Sequence, residues 1–429
     1  MKAPLPLTTV IRPYAWGSPT AFPAMFGTPA TGEPQAELWI GAHPGAPSTV
    51  DGVALGELIG RDPYGMVGAR GVDAFGPVLP YLLKVLAVDA PLSLQVHPTT
   101  AQAEEGFARE NAAGVPIDDP ARTYKDPFHK PEMVCALTDF HGLCGFRAPG
   151  DAAGLLESLG VPEVGEWVRV LRAEPAGAAL RTVFEQMLDP GAHEIRAAVE
   201  AALTGRADDH PDLAVYADLA RACPGDPGVT AALLLNHVRL APGEAAFLGA
   251  GVPHAYLGGV AVEVMANSDN VLRCGLTPKH IDVPELMRVV DFEPARPCLV
   301  PADQGEPGRY GYRPPIAEFG LVRHELAGDA EHPLPAGVPQ IVLCVEGAEI
   351  VLEAAERVTL RPGQAAFLPA GATGARLSGT GTAYRALPPG LLPASNASNV
   401  ANVANVANVA NVANASDASD ASTASSASS

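Results

Sequence analysis

Lysine is scarce in this chain: five residues, against 23 arginines, in 429 positions. Paired cysteine spacing is missing as well. The six cysteines, at 135, 144, 223, 274, 298 and 344, stand singly with no CxxC, which fits reduced thiols in a cytosol and argues against a disulfide framework. No apolar run approaches the length of a bilayer span, and the start, Met1-Lys2-Ala3-Pro4-Leu5-Pro6, has one basic residue and no signal-peptide core. Neither a membrane segment nor export is therefore expected. A formal net charge of −20 excludes the broad basic face that nucleic acid or an anionic membrane requires. A small anionic ligand is still compatible, because a few local cations decide that. What is left is a cytoplasmic globular protein, long enough for two or three domains and, at 47% hydrophobic residues, able to fill their cores.

The organisation changes twice along the chain. From Thr9 to about Gly145, short apolar runs broken by Gly, Pro and Asp predict a β-rich region. Between 150 and 237 the spacing turns helical: Leu180, Val183, Phe184 and Met187, then Ile195, Val199, Ala202 and Leu203, separated by Asp189-Pro190-Gly191. Strand signals resume at Val238-Arg239-Leu240 and persist to about Pro388. Within them lies an internal repeat. The stretch from Pro242 to Gly251 matches that from Pro362 to Gly371 at eight of ten positions, 120 residues apart, each copy a turn, a short buried strand and a turn. The pattern resembles the cupin jelly roll. The expected fold is thus mainly β with α: a discontinuous catalytic cupin-like domain (1–149 and 238–300), a helical insert (150–237) and a second, metal-free cupin-like domain (301–392). A low-complexity tail (393–429) built on an Asn-Val-Ala repeat is expected to be disordered.

Possible metal ligands appear in three segments. In Ser93-Leu94-Gln95-Val96-His97-Pro98, the period of a strand sends Gln95 and His97 to one face and Leu94 and Val96 to the other. In His129-Lys130-Pro131-Glu132 the proline holds an extended backbone beside a carboxylate. His254 follows Gly251-Val252-Pro253 at the end of the first repeat copy, where the second copy has Gly374; the second domain has lost that donor. Two His, one Glu and one Gln make a mixed N/O set suited to a single Zn²⁺ with a position open for water or substrate. The neutral Gln would leave the ion a stronger Lewis acid than a second carboxylate would. Apart from Lys2, the lysines Lys84, Lys125, Lys130 and Lys279 all lie in or beside such segments. Lysine, unlike arginine, is a compact charge that can give up a proton. Lys84 sits within Leu82-Leu83-Lys84-Val85-Leu86, where an ammonium needs an anionic partner such as a phosphate or else a solvent-facing position. The run from Glu263 to Lys279 concentrates Asp269, Arg273 and Lys279 within eleven residues, a mix able to bind a phosphorylated polyol and move protons.

Taken together these motifs form a recognisable set. The segment from His254 through Glu263, Met265-Ala266, Ser268-Asp269-Asn270, Arg273, Gly275 and Thr277-Pro278-Lys279 closely resembles the long signature of type I mannose-6-phosphate isomerases. Tyr124 to Glu132 resembles the second signature of that family, and Tyr14 to Ser18, Glu37 to Gly41 and Ser93 to Pro98 match it further. The likeness runs from about residue 8 to 388. Phe128 stands where the pattern usually has Asn, and Cys274 where it usually has Ala. The resemblance implies zinc on Gln95, His97, Glu132 and His254. It implies catalytic roles for Arg273, Lys130, Asp269 and His129, and substrate contacts from Lys84, for the phosphate, and from Ser93, Trp16, Tyr256, Glu263 and Lys279. The activity implied is reversible isomerisation of mannose 6-phosphate and fructose 6-phosphate through a cis-enediol; a monomer is the expected state. Two other classes compete: a metal-dependent cupin oxygenase, since His/His/Glu/Gln sets also hold non-haem iron, and a non-catalytic sugar-phosphate-binding protein with a relic site. All four donors are present, against the relic; the lysines favour the isomerase over the oxygenase.

Overall fold

A computed structural model describes residues 2–206, 211–297, 299–328 and 330–392; the Asn-Val-Ala tail and the expectation placed on it lie outside these. Two large antiparallel sheets dominate, one of eleven strands and one of nine. The eleven-stranded sheet is centred on Tyr81–Val88, Glu132–Ala136 and His254–Ala266, and it contains the first repeat copy as Ala245–Leu248. The nine-stranded sheet is centred on Gln340–Glu353 and Arg376–Leu387 and contains the second copy as Ala365–Leu368. Leu5–Leu7 pairs with that second copy. The N-terminal strand therefore belongs to the second sheet, outside the first domain expected for residues 1–149. Its alternation is too short to state which of two related sheets it completes.

Period-2 alternation explains how the sheets pack. In Tyr81–Val88, Leu83, Val85 and Ala87 join Val262, Val264, Met133 and Phe247 in one apolar cluster with Ile341, Leu343, Phe367, Tyr384 and Ala386 of the other sheet. Leu86 and Val88 point the opposite way, into a cluster with Val134, Phe140, Tyr256 and Ala261 inside the first β unit. Lys84 shares the inward parity of Leu86, which places an ammonium inside the first unit. The second unit has its own interior, built from Val342, Cys344, Ile350, Leu352, Ala366 and Leu377.

His254–Ala266 serves both halves of the eleven-stranded sheet. Its first residues pair with Leu94–Val96 and Phe140–Phe146, and its later ones with Tyr81–Val88 and Glu132–Ala136. The handover is at Gly259, whose φ is 106° and where an added Cβ would lie 2.4 Å from the Asp139 carbonyl. Only glycine tolerates both conditions.

A layer of helices covers the far side of the short strands. Ala176–Leu188 and His193–Arg206 occupy the two periodic stretches, joined by the short turn at Pro190–Ala192, within a helical run from Pro149 to Ala232. Their apolar faces meet Leu94 and Val96, which leaves Gln95 for the opposite face. One long helix, Thr100–Ala112, falls in the stretch read as β-rich. It buries only Ala103 and Gly106, so its stripe is too narrow to register as periodic. Its signal was the capping box of Thr99 and Gln102.

Candidate metal centre

Three donors converge inside the first unit: Glu132 and His254 each open a strand, and His97 directly follows Leu94–Val96. The oxygens of Glu132 lie 3.2 Å from His97 Nε2 and 3.4 Å from His254 Nε2, and all three residues are buried. Backbone carbonyls set the tautomer of both rings, because a carbonyl can only accept. His97 Nδ1 lies 2.8 Å from the Asn270 oxygen and His254 Nδ1 2.9 Å from that of Val252, so each Nδ1 carries the proton and each Nε2 presents a lone pair. Both Nε2 atoms are buried without a hydrogen-bond partner. Burial, and then the nearby Lys130, push the His97 pKa down to about 4, so this ring is neutral and able to ligate. Burial alone would raise the Glu132 carboxyl, but the Lys130 ammonium beside it overrides this and holds it well below the usual range.

Two lone pairs facing a carboxylate in a dry interior repel one another unless a cation lies between them. Donor atoms about 2.0–2.1 Å from a tetrahedral ion lie about 3.3 Å apart, close to the spacings seen here. His97, Glu132 and His254 form a group of metal-type donors whose ligand atoms all lie within 4.8 Å. Gln95 is directly opposite His254 in one strand pairing and opposite Arg273 in the next. Cross-strand partners share a face, so His254, Gln95 and Arg273 form a row.

Around this centre the charge is mixed. Lys130 Nζ is 2.8 Å from Glu132, and the Tyr256 hydroxyl donates to Glu132 over 3.4 Å. Lys84 sits deeper, 3.0 Å from Glu263 and 3.7 Å from Glu37, with its ammonium 5.1 Å from the Trp39 ring centroid. Burial opposes its charge, but Glu263 and Glu37 outweigh burial and its pKa is raised. The structure thus answers the lysine's need for an anionic partner from within the protein. Arg273 is half-buried and makes no ion pair among the described residues; burial lowers its pKa. Lys279 is exposed, its pKa lowered by partial burial and then by Arg273. Trp16 and Ser93 are half-buried; Trp16 stacks on Tyr14 with centroids 6.0 Å apart and packs against the interior cluster.

The segment carrying Lys130 is clasped by one buried amide. Asn270 Nδ2 donates to the carbonyls of Asp126 and Phe128 at 2.7 and 2.8 Å, and its Oδ1 accepts from Lys125 N–H at 2.7 Å. Ser268 Oγ and Asp269 N–H add donations to the Asp126 carboxylate, each at 2.8 Å. Phe128 contributes its backbone to this clasp while the residue is 56% exposed, so the unusual side chain leaves the turn intact. Lys125 is engaged elsewhere, its ammonium on the carbonyls of Ile117 and Asp119. His129 faces away from Lys130: its Nε2 lies 2.8 Å from Glu318 of the second unit, as adjacent residues of an extended segment point to opposite sides.

Two residues at the site escaped the reading of the sequence. Glu318 lies 189 positions from its partner. His43 is buried, 3.5 Å from the exposed Asp269 carboxylate, and nothing local marks it.

Fold and site together define a protein of two large antiparallel sheets with a buried group of two His and one Glu that could hold a metal ion, flanked by a neutral Gln and by an Arg with no ion pair among the described residues. Comparison with known proteins narrows that class. A family profile described as phosphomannose isomerase type I, catalytic domain, matches residues 5–149. The mannose-6-phosphate isomerase of Salmonella typhimurium is 40% identical over 393 residues, covering 88% of this chain and 98% of its own; that of Escherichia coli is 39% identical with the same coverage. A crystal structure of mannose 6-phosphate isomerase bound with zinc and yttrium superposes with a TM-score of 0.84 at 39% identity, covering 90% of this chain and all of that one. The chain belongs to the type I mannose-6-phosphate isomerase family.

Proposed function

We propose that this protein is a zinc-dependent aldose–ketose isomerase that interconverts mannose 6-phosphate and fructose 6-phosphate through a cis-enediol. The observation that carries the reading is the pair of partnerless, buried Nε2 lone pairs converging on Glu132. His97, Glu132 and His254, with Gln95 beside them, would hold the ion. When bound, Zn²⁺ supplies Lewis acidity toward the oxygens next to the reacting carbons.

The residues divide the remaining work. Isomerisation moves one proton between C2 and C1 and a second between O2 and O1. Asp269 is the carboxylate free to meet a substrate, its side chain 57% exposed, and it accepts the proton from C2 and returns it to C1. Lys130, buried beside Glu132, serves the oxygens, donating a proton to O1 as O2 gives one up. Arg273, in register with Gln95 and without an ion pair among the described residues, offsets the negative charge that develops on the enediolate. Lys279, exposed near Arg273, receives the phosphate. Lys84 works from beneath, as the counter-charge that keeps Glu263 and Glu37 tolerable beside Glu132. His129 ties the segment to the second β unit, which we take to be a metal-free support domain, with the helical run at 149–232 as an insert in the first.

A coupled assay for fructose 6-phosphate tests this. Turnover should vanish on dialysis against a chelator and return with Zn²⁺; activity untouched by complete metal removal would overturn it.

A further inference from the structure

His43 follows the Glu37–Gly41 strand and has no role in the mechanism above. It is 3% exposed and stands edge-on to Trp39, with ring centroids 5.0 Å apart and an interplanar angle of 87°. The backbone N–H of Gly45 donates to its Nδ1 at 3.1 Å. A nitrogen that accepts a hydrogen bond carries no proton in a neutral imidazole, so the proton sits on Nε2. Nε2 lies 3.5 Å from Asp269 Oδ1. The neutral form is favoured: burial first, and then Lys84 and Lys130, lower the ring's pKa against the pull of Asp269 and Asp126. An exposed carboxylate samples many orientations, and a single fixed donor restricts them. A separation of 3.5 Å before substrate arrives is the loose contact that tightens in a Michaelis complex.

We propose that His43 is a positioning residue for the isomerisation, its Nε2–H steering the Asp269 carboxylate toward the reacting carbons. The inference rests on the proton-transfer role given to Asp269. Misplacement of a reacting group by about 1 Å can cost up to ~100-fold in rate. The tautomer makes the test directional. Asparagine can reproduce only Nδ1, keeping the Gly45 hydrogen bond without the donor at Nε2. Glutamine can place an amide N–H near Nε2 while forfeiting the Gly45 bond.

The experiment uses full-length, zinc-loaded protein, with zinc content and Tm measured for each variant. Expected are a kcat loss of about 10- to 100-fold for His43→Asn with KM changed less than about 3-fold, and His43→Gln within about 5-fold of the wild type. The double variant His43→Asn with Asp269→Asn should be no slower than Asp269→Asn alone, because removing a positioner is silent once its target is gone. A purely structural histidine predicts the reverse ranking, with asparagine better tolerated than glutamine, and additive losses. Either result overturns the proposal, as does wild-type turnover in His43→Asn beside a crippled Asp269→Asn. Near-normal turnover in Asp269→Asn would instead remove the role of Asp269 and this inference with it.

Discussion

The two β units carry the same ten-residue repeat in equivalent strands, yet their interiors have opposite charge. Inside the first, Glu37, Glu132 and Glu263 are buried with Lys84, Lys130, His97 and His254, and a cation completes the set. Inside the second, among the described residues, the buried polar groups are His324, His332, Gln340 and Arg385, with no carboxylate. These satisfy one another. Arg385 donates from Nε to His324 Nε2 at 3.1 Å and from Nη1 to Gln340 at 2.7 Å, and His324 Nδ1 meets His332 Nδ1 at 3.0 Å. Because Arg385 can only donate, His324 must accept at Nε2 and donate from Nδ1. Both of its nitrogens are thus used, whereas His97 and His254 each keep one in reserve. The two interiors thus differ in whether their histidines are left with unspent lone pairs facing an acid, the condition that binding a metal ion requires.

Four experiments would break or sharpen that contrast. His97→Ala should lower turnover by ~10³-fold or more and leave zinc substoichiometric by metal analysis, whereas loss of His332 should leave zinc content unchanged; equal effects would erase the distinction. Arg273→Ala should cost about 10²-fold in kcat while zinc stays bound, since it removes a fixed charge and no ligand. In the second unit, His324→Leu strands the Arg385 Nε–H and should destabilise by about 2–4 kcal/mol in denaturant melts of the zinc-loaded protein, with kcat unmoved.

The fourth uses pH. Burial, and then Arg385 and His332, hold the His324 pKa well below the ordinary imidazole range. The unfolded chain, with a value of about 6.5, takes up a proton there that the folded protein refuses. Stability from this group is therefore full above that pH and lost as pH falls below it. The fall in Tm between pH 7.5 and 5 should be smaller in His324→Leu than in the wild type. An equal fall would show that other histidines carry the effect, among them His237, which burial and then His141 also push down to about 4.

Glu318 is where the units cooperate. Hydrogen bonding from His129 is the main reason its carboxyl lies below the usual range, and the pair joins the segment that carries Lys130 to the second unit. Glu318→Gln keeps one hydrogen bond without the charge and should lower kcat only a few-fold; a loss as large as that of Arg273→Ala would make the second unit part of the catalytic machinery.

Much of this was legible in the chain. Period 2 at Gln95 and His97 separated the site face from the face of Leu94 and Val96 because alternation is a local property of a strand. The repeat exposed two related β units because turn-strand-turn chemistry is written in consecutive residues, and helical spacing marked Leu180 to Met187. What escaped depended on partners distant in the chain or on weak local patterns. The helix at Thr100–Ala112 buries too little to show a stripe, and Leu5–Leu7 could not name its sheet.

The sequence by itself determined which residue types stand at which strand positions, and so which side chains can act together: Gln95 with His97, Lys130 with Glu132, His254 at the end of its repeat. Only the tertiary structure decided what each does with its lone pairs and charges. Asn270 and Val252 use the Nδ1 protons of His97 and His254. Glu263 and Glu37 neutralise Lys84. His43 meets Asp269, and His129 meets Glu318. The physical reason is that burial makes every unpaired charge or lone pair costly, and which group relieves that cost is a matter of position in space, which order along the chain does not specify.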